Sequence, residues 1–240
     1  MDIRISGLKK SYGEKTVVDI DNIFIRQGEI IGLVGNNGAG KTTLFRLMLD
    51  LVEADAGEVL IGDINPAKSE EWKRYVGSYI DDGFLIDFLT PEEYFDFIGR
   101  VSRLKKEDVA SHIEWCDKFM AGEILGQKKL IRDYSAGNKQ KIGIVAALLS
   151  APQIVILDEP FNFLDPSSQN VLKKMLTAYA KEKNATVLVS SHNLQHTVDI
   201  STRITLLEHG VIVKDLSNED HSAKAELENY FESGSVNSYL

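Results

Sequence analysis

A glycine-rich segment that ends in lysine and threonine is the strongest chemical signal in the sequence. Its residues are Gly35, Asn36, Asn37, Gly38, Ala39, Gly40, Lys41 and Thr42, and Thr43 follows directly. Such glycines let a loop curl with its backbone N–H groups pointing at oxyanions, and a helix that follows adds the positive end of its dipole. Lys41 would then reach the β and γ phosphates, while the Thr42 hydroxyl ligates Mg²⁺. The segment predicts a site for a nucleoside triphosphate.

Two adjacent carboxylates form a second candidate element. Asp158 and Glu159 follow the continuous apolar run 154–157, which is typical of a central parallel strand covered on both faces. Open α/β sheets bind ligands at the carboxyl ends of their strands, so both acids are expected at the ligand-binding edge. Asp158 can hold Mg²⁺, directly or through water, and Glu159 can polarise an attacking water. Together with the glycine-rich loop, the pair indicates hydrolysis of the bound nucleotide.

His192 is a third candidate residue, because it follows the β-rich run 186–189. His196 lies four residues further on, which is the spacing of a metal pair on one face of a helix. Since the sequence offers no third ligand nearby, a metal site at this pair is disfavoured.

Strand and helix patterns that alternate along the chain would position these residues. Strands are predicted at residues 3–8, 23–25, 30–34, 59–61, 75–80, 154–157, 186–189 and 204–207. Strand signals vanish from about 84 to 150, where Thr90, Pro91 and Glu93 form a capping box and helices are predicted over 106–120 and from Ser135. We therefore expect an all-helical insertion in an α/β core.

Length and charge restrict the class of protein. A chain of 240 residues suits one generous domain or a core with an inserted subdomain. Its 27 Lys and Arg against 36 Asp and Glu leave a net charge of −9, which disfavours a nucleic acid as partner. The single cysteine, Cys116, excludes an internal disulfide. The most apolar stretch, 142–157, is interrupted by polar residues, so the chain is not expected to span a bilayer alone.

With two further segments, Tyr-Ser-Ala-Gly-Asn-Lys-Gln-Lys at 134–141 and Ser-Ser-His at 190–192, these motifs resemble the nucleotide-binding subunit of ABC transporters. The resemblance runs from about residue 3 to 215 and includes motif order. It implies an α/β fold: a P-loop NTPase core with a mostly parallel sheet, an N-terminal antiparallel β subdomain and an inserted α-helical subdomain. The expected boundaries are 1–83 and 151–215 for the core, 84–150 for the insertion, and 216–240 for an acidic C-terminal helix and tail.

The resemblance also implies a function. ATP and Mg²⁺ are the expected cofactors, and ATP hydrolysis would drive transport through a separate multi-span permease. A second ATP-binding subunit, identical or different, would complete a head-to-tail dimer that holds two ATP molecules between the P-loop of one copy and the signature motif of the other. The signature wording resembles exporter-type subunits. The expected location is cytoplasmic, peripheral on the inner face of the cell membrane.

Individual residues take family roles only through the same resemblance. Tyr12 occupies the place of the aromatic that stacks on adenine, and His192 that of the switch histidine that contacts the γ-phosphate. Ser135 resembles the signature serine and Gly137 its retained second glycine, both directed at the facing subunit's ATP. Residues 162–165 correspond to the D-loop.

Two positions depart from the family pattern. Asp81 stands where glutamine is usual, and its carboxylate is expected to approach Mg²⁺ through a water. Ala136 replaces the first signature glycine, and its methyl group would cost about 1 kcal/mol or more if the position required a positive φ or lay against the nucleotide. We therefore expect hydrolysis that is slow.

Three questions stay open at this stage. A soluble ABC-type ATPase associated with ribosomes or DNA is the alternative function, although such proteins generally carry two domains or a long coiled coil. Phe84 and Phe88 could form a docking surface for the permease or belong to the core. The C-terminal helix, with Ala223, Leu227, Tyr230 and Phe231 on one face, is expected to pack on its own domain, with an intersubunit or permease contact as the alternative.

Overall fold

Two β-sheets carry the glycine-rich loop and the predicted carboxylates. The computed structural model describes residues 1–218 and 222–236, with side chains described up to Tyr230. The first sheet is antiparallel in the order β2-β1-β4, formed by β1 (Ile3–Tyr12), β2 (Lys15–Ile25) and β4 (Ala56–Ile61). The second has the order β5-β6-β7-β3-β8-β9. Its strands are β3 (Ile30–Val34), β5 (Val76–Tyr79), β6 (Ile154–Leu157), β7 (Thr186–Ser191), β8 (Arg203–Glu208) and β9 (Val211–Ser217).

The second sheet is parallel except for the β8–β9 pair. Strands β3, β6 and β7 are buried along their whole length, as expected of strands covered on both faces. Val34 pairs with Ser191 and Leu157 with Val189, so the carboxyl ends of these three strands lie at one edge. The predicted fold class is confirmed, and this edge holds the candidate site.

Helices connect the strands, and the helix that follows Thr90 begins at the predicted capping box. They are α1 (Lys41–Met48), α2 (Pro91–Val101), α3 (Lys106–Met120), α4 (Ala136–Leu148), α5 (Pro166–Lys183), α6 (Leu194–Val198) and α7 (Ala223–Val236). Thr90 and Glu93 form the capping box of α2, and the Asp165 carboxylate caps α5 by accepting from two backbone N–H groups. Within residues 1–218 and 222–236, none of the helices combines the length and apolarity that a bilayer crossing requires.

The helical segment is joined to the sheet by α4. From Gln140 to Leu148 this helix is buried, because it packs on α3 on one side and on β5 on the other. Gly143 allows close contact, since a Cβ there would lie 2.1 Å from the Tyr79 ring. Phe95 and Phe119 of the helical segment share one core with Leu157 of the sheet. The subdomain boundaries themselves stay a prediction.

The C-terminal helix packs on its own domain, as predicted. Ala223 and Leu227 of α7 are buried with Val198 and Ile204, and the Tyr230 hydroxyl donates to Glu208 at 2.9 Å. The side chain of Phe231 and the tail after residue 236 lie outside the described residues.

Candidate nucleotide-binding site

The glycine-rich loop connects β3 to α1 in a conformation that only glycine adopts easily. Gly40 precedes α1 with φ 109°, and Gly38 has φ 83°. A Cβ at Gly40 would lie 2.3 Å from the Val17 carbonyl oxygen, so a larger residue is excluded there. Asn36, Asn37 and Gly38 are exposed at the tip. The loop therefore presents backbone N–H groups and the positive end of α1 at the carboxyl edge of the sheet.

The Lys41 ammonium lies inside this loop. Its side chain is 6% exposed, and Nζ donates to the Gly35 carbonyl oxygen at 2.6 Å. The same Nζ is 3.3 Å from Glu159 Oε1. A buried cation needs acceptors or an opposite charge close to it. These contacts therefore hold the Lys41 ammonium at the edge where β3 and β6 end.

Both oxygens of the Asp158 carboxylate accept a hydrogen bond from a side-chain hydroxyl. The Thr42 hydroxyl donates to its Oδ2 and the Ser190 hydroxyl to its Oδ1. Burial raises the pKa of Asp158 above its ordinary value, while the two hydroxyl hydrogen bonds oppose that rise. Thr42 and Asp158 thus place a hydroxyl and a carboxylate oxygen side by side, and these hard oxygen donors fit Mg²⁺.

Glu159 and His192 meet across the ends of β6 and β7. The imidazole Nδ1 of His192 is 2.9 Å from Glu159 Oε2, and the His192 backbone N–H donates to the same oxygen at 3.3 Å. Glu159 has φ 47°, in the left-handed region, and its N–H donates to Ser190 Oγ at 2.8 Å. The carboxylate therefore lies between the Lys41 ammonium and the His192 imidazole, where it can accept a proton from a water on the loop side.

Ser190 is a site residue whose individual role the sequence did not reveal. Its hydroxyl donates to Asp158 and accepts from the backbone N–H of Glu159. Its sequence signal was its place in the Ser-Ser-His segment 190–192, directly after a predicted strand. The hydrogen bonds of Ser190 depend on the pairing of β6 with β7, which local spacing does not specify.

Asp81 makes its polar contacts away from Thr42 and Asp158. Its carboxylate accepts from the Arg46 guanidinium at 3.0 Å and from the Gly83 backbone N–H at 2.9 Å. Arg46 lies on α1, one turn after Thr42, and sequence reasoning missed it. The metal role predicted for Asp81 stays a prediction, and Arg46 is the cation that this carboxylate contacts.

The predicted signature residues begin helix α4. Ser135 caps the helix by accepting from the Asn138 N–H at 3.3 Å, and both Ser135 and Ala136 are exposed. Ala136 is the first helical residue and has no positive φ, so the strain considered for its methyl group does not arise. A Cβ on Gly137 would lie 2.5 Å from the Phe163 carbonyl oxygen, which explains glycine at this position.

Tyr12 is the last residue of strand β1. Its ring is exposed, and the Lys10 ammonium lies 5.7 Å from the ring centroid. Ion pairs join Lys41 and His192 to Glu159, and a hydrogen bond joins Thr42 to Asp158. These five residues are called the central group of the site. Tyr12, Asp81 and Ser135 make their described contacts outside this central group.

Comparisons with known proteins identify related sequences. The ABC transporter family profile matches residues 18–162. The bacitracin transport ATP-binding protein BcrA of Bacillus licheniformis is 33% identical over 220 residues, covering 89% of this chain and 69% of that protein. The lantibiotic transport ATP-binding protein SrtF of Streptococcus pyogenes is 28% identical over 233 residues, 95% of each chain.

Solved structures share the fold. An ATP-binding cassette in a dimeric, post-hydrolysis state bound to ADP and Pi superposes with a TM-score of 0.80 at 22% identity, covering 90% of this chain and 98% of that one. An ATP-binding subunit of an ABC transporter superposes with a TM-score of 0.82 at 25% identity, covering 92% and 91% of the two chains.

Proposed function

Because the chain belongs to the ABC transporter family of ATP-binding proteins, we propose that it drives transport through a separate multi-span permease with the central group as its hydrolytic site. Family membership makes the chain an ATP-binding ATPase of ATP-driven transport. One observation carries the assignment of the site: the Glu159 carboxylate lies between Lys41 and His192, beside the Thr42–Asp158 hydrogen bond.

The residues divide the work of phosphoryl transfer. Backbone N–H groups of residues 35–40 and the Lys41 ammonium bind the phosphate oxygens and offset their charge. Thr42 and Asp158 would hold Mg²⁺, which would supply positive charge to offset that of the bound phosphates. These groups hold the γ-phosphorus in line with an attacking water near Glu159.

Glu159 acts as the general base. It accepts a proton from water as the water oxygen bonds to the γ-phosphorus, the bond from that phosphorus to the β–γ bridging oxygen breaks, and ADP and phosphate leave. His192 holds the Glu159 carboxylate through its Nδ1 and approaches the γ-phosphate with the rest of its ring. Both side chains face one point because their strands end side by side.

A second ATP-binding subunit completes the site. Ser135 and Ala136 are exposed at the positive end of α4, where a γ-phosphate held by the facing subunit can be bound. Gly137 packs on Phe163 of the D-loop, and Phe163 is itself strongly exposed. The exposed ring of Tyr12 is available to stack on adenine. The partner can be a second copy or a different subunit of the same kind.

The permease docks beside the loop that follows β5. Phe84 is 53% exposed and Phe88 65% exposed, so the interpretation that they belong to the core is wrong. Two exposed aromatic rings only four residues apart in the sequence suit an interface with a membrane subunit. Docking there places the chain on the inner face of the cell membrane, in the cytoplasm. The bacitracin and lantibiotic transport relatives support an exporter-type role, with peptide antibiotics as the first cargo to test.

The proposed transport role is tested by affinity purification of the tagged chain from detergent-solubilised membranes. We expect a multi-span membrane protein to co-purify, and the complex in vesicles to move labelled bacitracin or a lantibiotic with ATP but not with ADP. A Glu159→Gln chain serves as the control, because it should bring down the same membrane protein without transport. Recovery of ribosomes or DNA in place of a membrane protein would favour the soluble ABC-type ATPase.

A further inference from the structure

Both backbone polar groups of Glu159, its N–H and its carbonyl oxygen, are hydrogen-bonded. Its N–H donates to Ser190 Oγ at 2.8 Å. Its carbonyl oxygen accepts from the Gln140 side-chain Nε2 at 3.3 Å and from the Asn162 backbone N–H at 3.1 Å. Gln140 belongs to α4 and is 6% exposed, so this amide is buried against the loop that carries the general base.

A second contact joins the same two segments. The first turn of α4 packs so closely on the D-loop that a Cβ at Gly137 would lie 2.5 Å from the Phe163 carbonyl oxygen. Gly137 and Gln140 are three residues apart and therefore lie on one face of the helix. One face of α4 thus supports the loop from Glu159 to Phe163 at two points.

This support bears on a residue whose backbone is unfavourable by itself. Glu159 has φ 47°, and a residue in the left-handed region persists only where its surroundings hold it there. The direction of the Glu159 Cα–Cβ bond, and so the place of its carboxylate, depends on that conformation. A displacement of about 1 Å at a reacting group can cost roughly a hundredfold in rate.

We propose that Gln140 is a positioning residue, which fixes the Glu159 backbone and thereby links helix α4 to the general base. The proposal rests on the proposed role of Glu159. Ser135 and Gln140 are separated by about one and a half turns of the same helix. When Ser135 of one subunit contacts a γ-phosphate held by the facing subunit, the contact therefore acts through α4 on the segment that holds Glu159 of the subunit that carries Ser135.

Gln140→Met tests the proposal, because methionine keeps the length and removes the donor. The Glu159 carbonyl oxygen retains the Asn162 N–H, so the fold should persist. We expect kcat for Mg·ATP hydrolysis to fall about ten- to a hundredfold, with the equilibrium Kd for ATP changed less than about twofold since Lys41 and residues 35–40 are untouched. The matched control is Gln153→Met, an exposed glutamine directly before β6. It should behave as wild type.

A double-mutant cycle separates positioning from a general loss of structure. In a Glu159→Gln background, Gln140→Met should lower the remaining rate by less than about twofold, because two residues that act as one unit are strongly non-additive. A second variant, Gln140→Leu, also removes the donor without burying a charge and should lose about as much turnover as Gln140→Met. It reports on the donor if the methionine variant does not fold.

The outcomes distinguish the positioning role of Gln140 from the proposed role of Glu159 as the general base. Full additivity of the two losses, or wild-type kcat in Gln140→Met while Glu159→Gln is inactive, overturns the positioning role alone. Equal turnover of wild type and Glu159→Gln overturns the proposed role of Glu159 and the positioning role with it.

Discussion

His192 and Glu159 are joined side chain to side chain: Nδ1 of the imidazole lies 2.9 Å from Oε2 of the carboxylate. The pair forms because β6 and β7 are neighbouring parallel strands. The residues that follow their carboxyl ends therefore lie at the same edge of the sheet. An imidazole in this place restricts the carboxylate and fixes which nitrogen faces outward. The geometry therefore makes His192 a partner of the general base.

The first prediction concerns His192→Asn. We expect kcat for ATP hydrolysis to fall about a hundredfold, the lower range for loss of one group in acid–base catalysis, while KM changes little because Lys41 and residues 35–40 bind the phosphates. Steady-state phosphate release measures both constants. His209→Asn makes the same change at an exposed histidine and should leave the kinetics as in wild type. A His192→Asn chain with normal kcat would contradict the role of the pair.

The second prediction concerns stability and the Asp158 carboxylate. Burial raises its pKa in the folded chain, so folding favours the protonated form. The stabilisation is complete below the unfolded value near 3.8 and is lost as pH rises through the raised folded value, so the Asp158 carboxyl group lowers the stability at pH 7 relative to acid pH. Asp158→Asn should therefore increase the Tm at pH 7, by about 2–4 °C for each 1 kcal/mol relieved.

Thermal unfolding in EDTA checks this sign, since bound Mg²⁺ would stabilise the wild-type chain separately. The Tm difference between Asp158→Asn and wild type should shrink from pH 7 toward pH 4. A difference that is negative at pH 7, or that grows on acidification, would refute the linkage. The same variant should lose Mg²⁺-dependent hydrolysis, because the carboxylate ligand is gone.

The third prediction separates Asp81 from the metal site. Its carboxylate contacts Arg46 at 3.0 Å, and both side chains are substantially exposed, so the pair contributes about 0–1 kcal/mol. Asp81→Asn should shift the Mg²⁺ concentration at half-maximal ATPase rate by less than about twofold, within the small effect expected of an exposed pair. Thr42→Ala is the comparison that should raise it. A tenfold or larger rise for Asp81→Asn would support the water-mediated metal role predicted from the sequence.

The fourth prediction concerns the exposed rings of Phe84 and Phe88. The double variant Phe84→Ser, Phe88→Ser should keep its Tm and its ATP binding, because neither ring belongs to the core, but it should lose the co-purifying permease. Phe24→Ser, an exposed phenylalanine on β2, is the matched control and should retain it. Permease recovery equal to wild type, with Tm and ATP binding retained, would remove this docking surface.

Local spacing was sufficient for the parts of the site that lie within one segment. The glycine-rich loop, the strand β6 directly before Asp158 and Glu159, and the capping box at Thr90 each depend on a few neighbouring residues. Such signals are readable because glycine conformation, strand burial and helix capping are decided within a turn or two.

The remaining relationships join segments far apart in the chain. Ser190 reaches Asp158 over 32 residues, Arg46 reaches Asp81 over 35, and Gln140 reaches Glu159 over 19. Each bond requires a strand register or a helix orientation that tertiary packing sets. The exposure of Phe84 and Phe88 also depends on tertiary packing. The sequence shows that both residues are apolar but does not show whether the fold covers them.

The most direct test of the central claim is phosphate release from Mg·ATP by wild type and by Glu159→Gln, alone and with the co-purified permease. Glu159→Gln preserves shape and removes the base. We predict that wild type turns over at least about a hundredfold faster, with equal ATP affinity for the two chains. Equal rates in wild type and Glu159→Gln, with the permease present, would contradict the assignment of this site as the one that hydrolyses ATP.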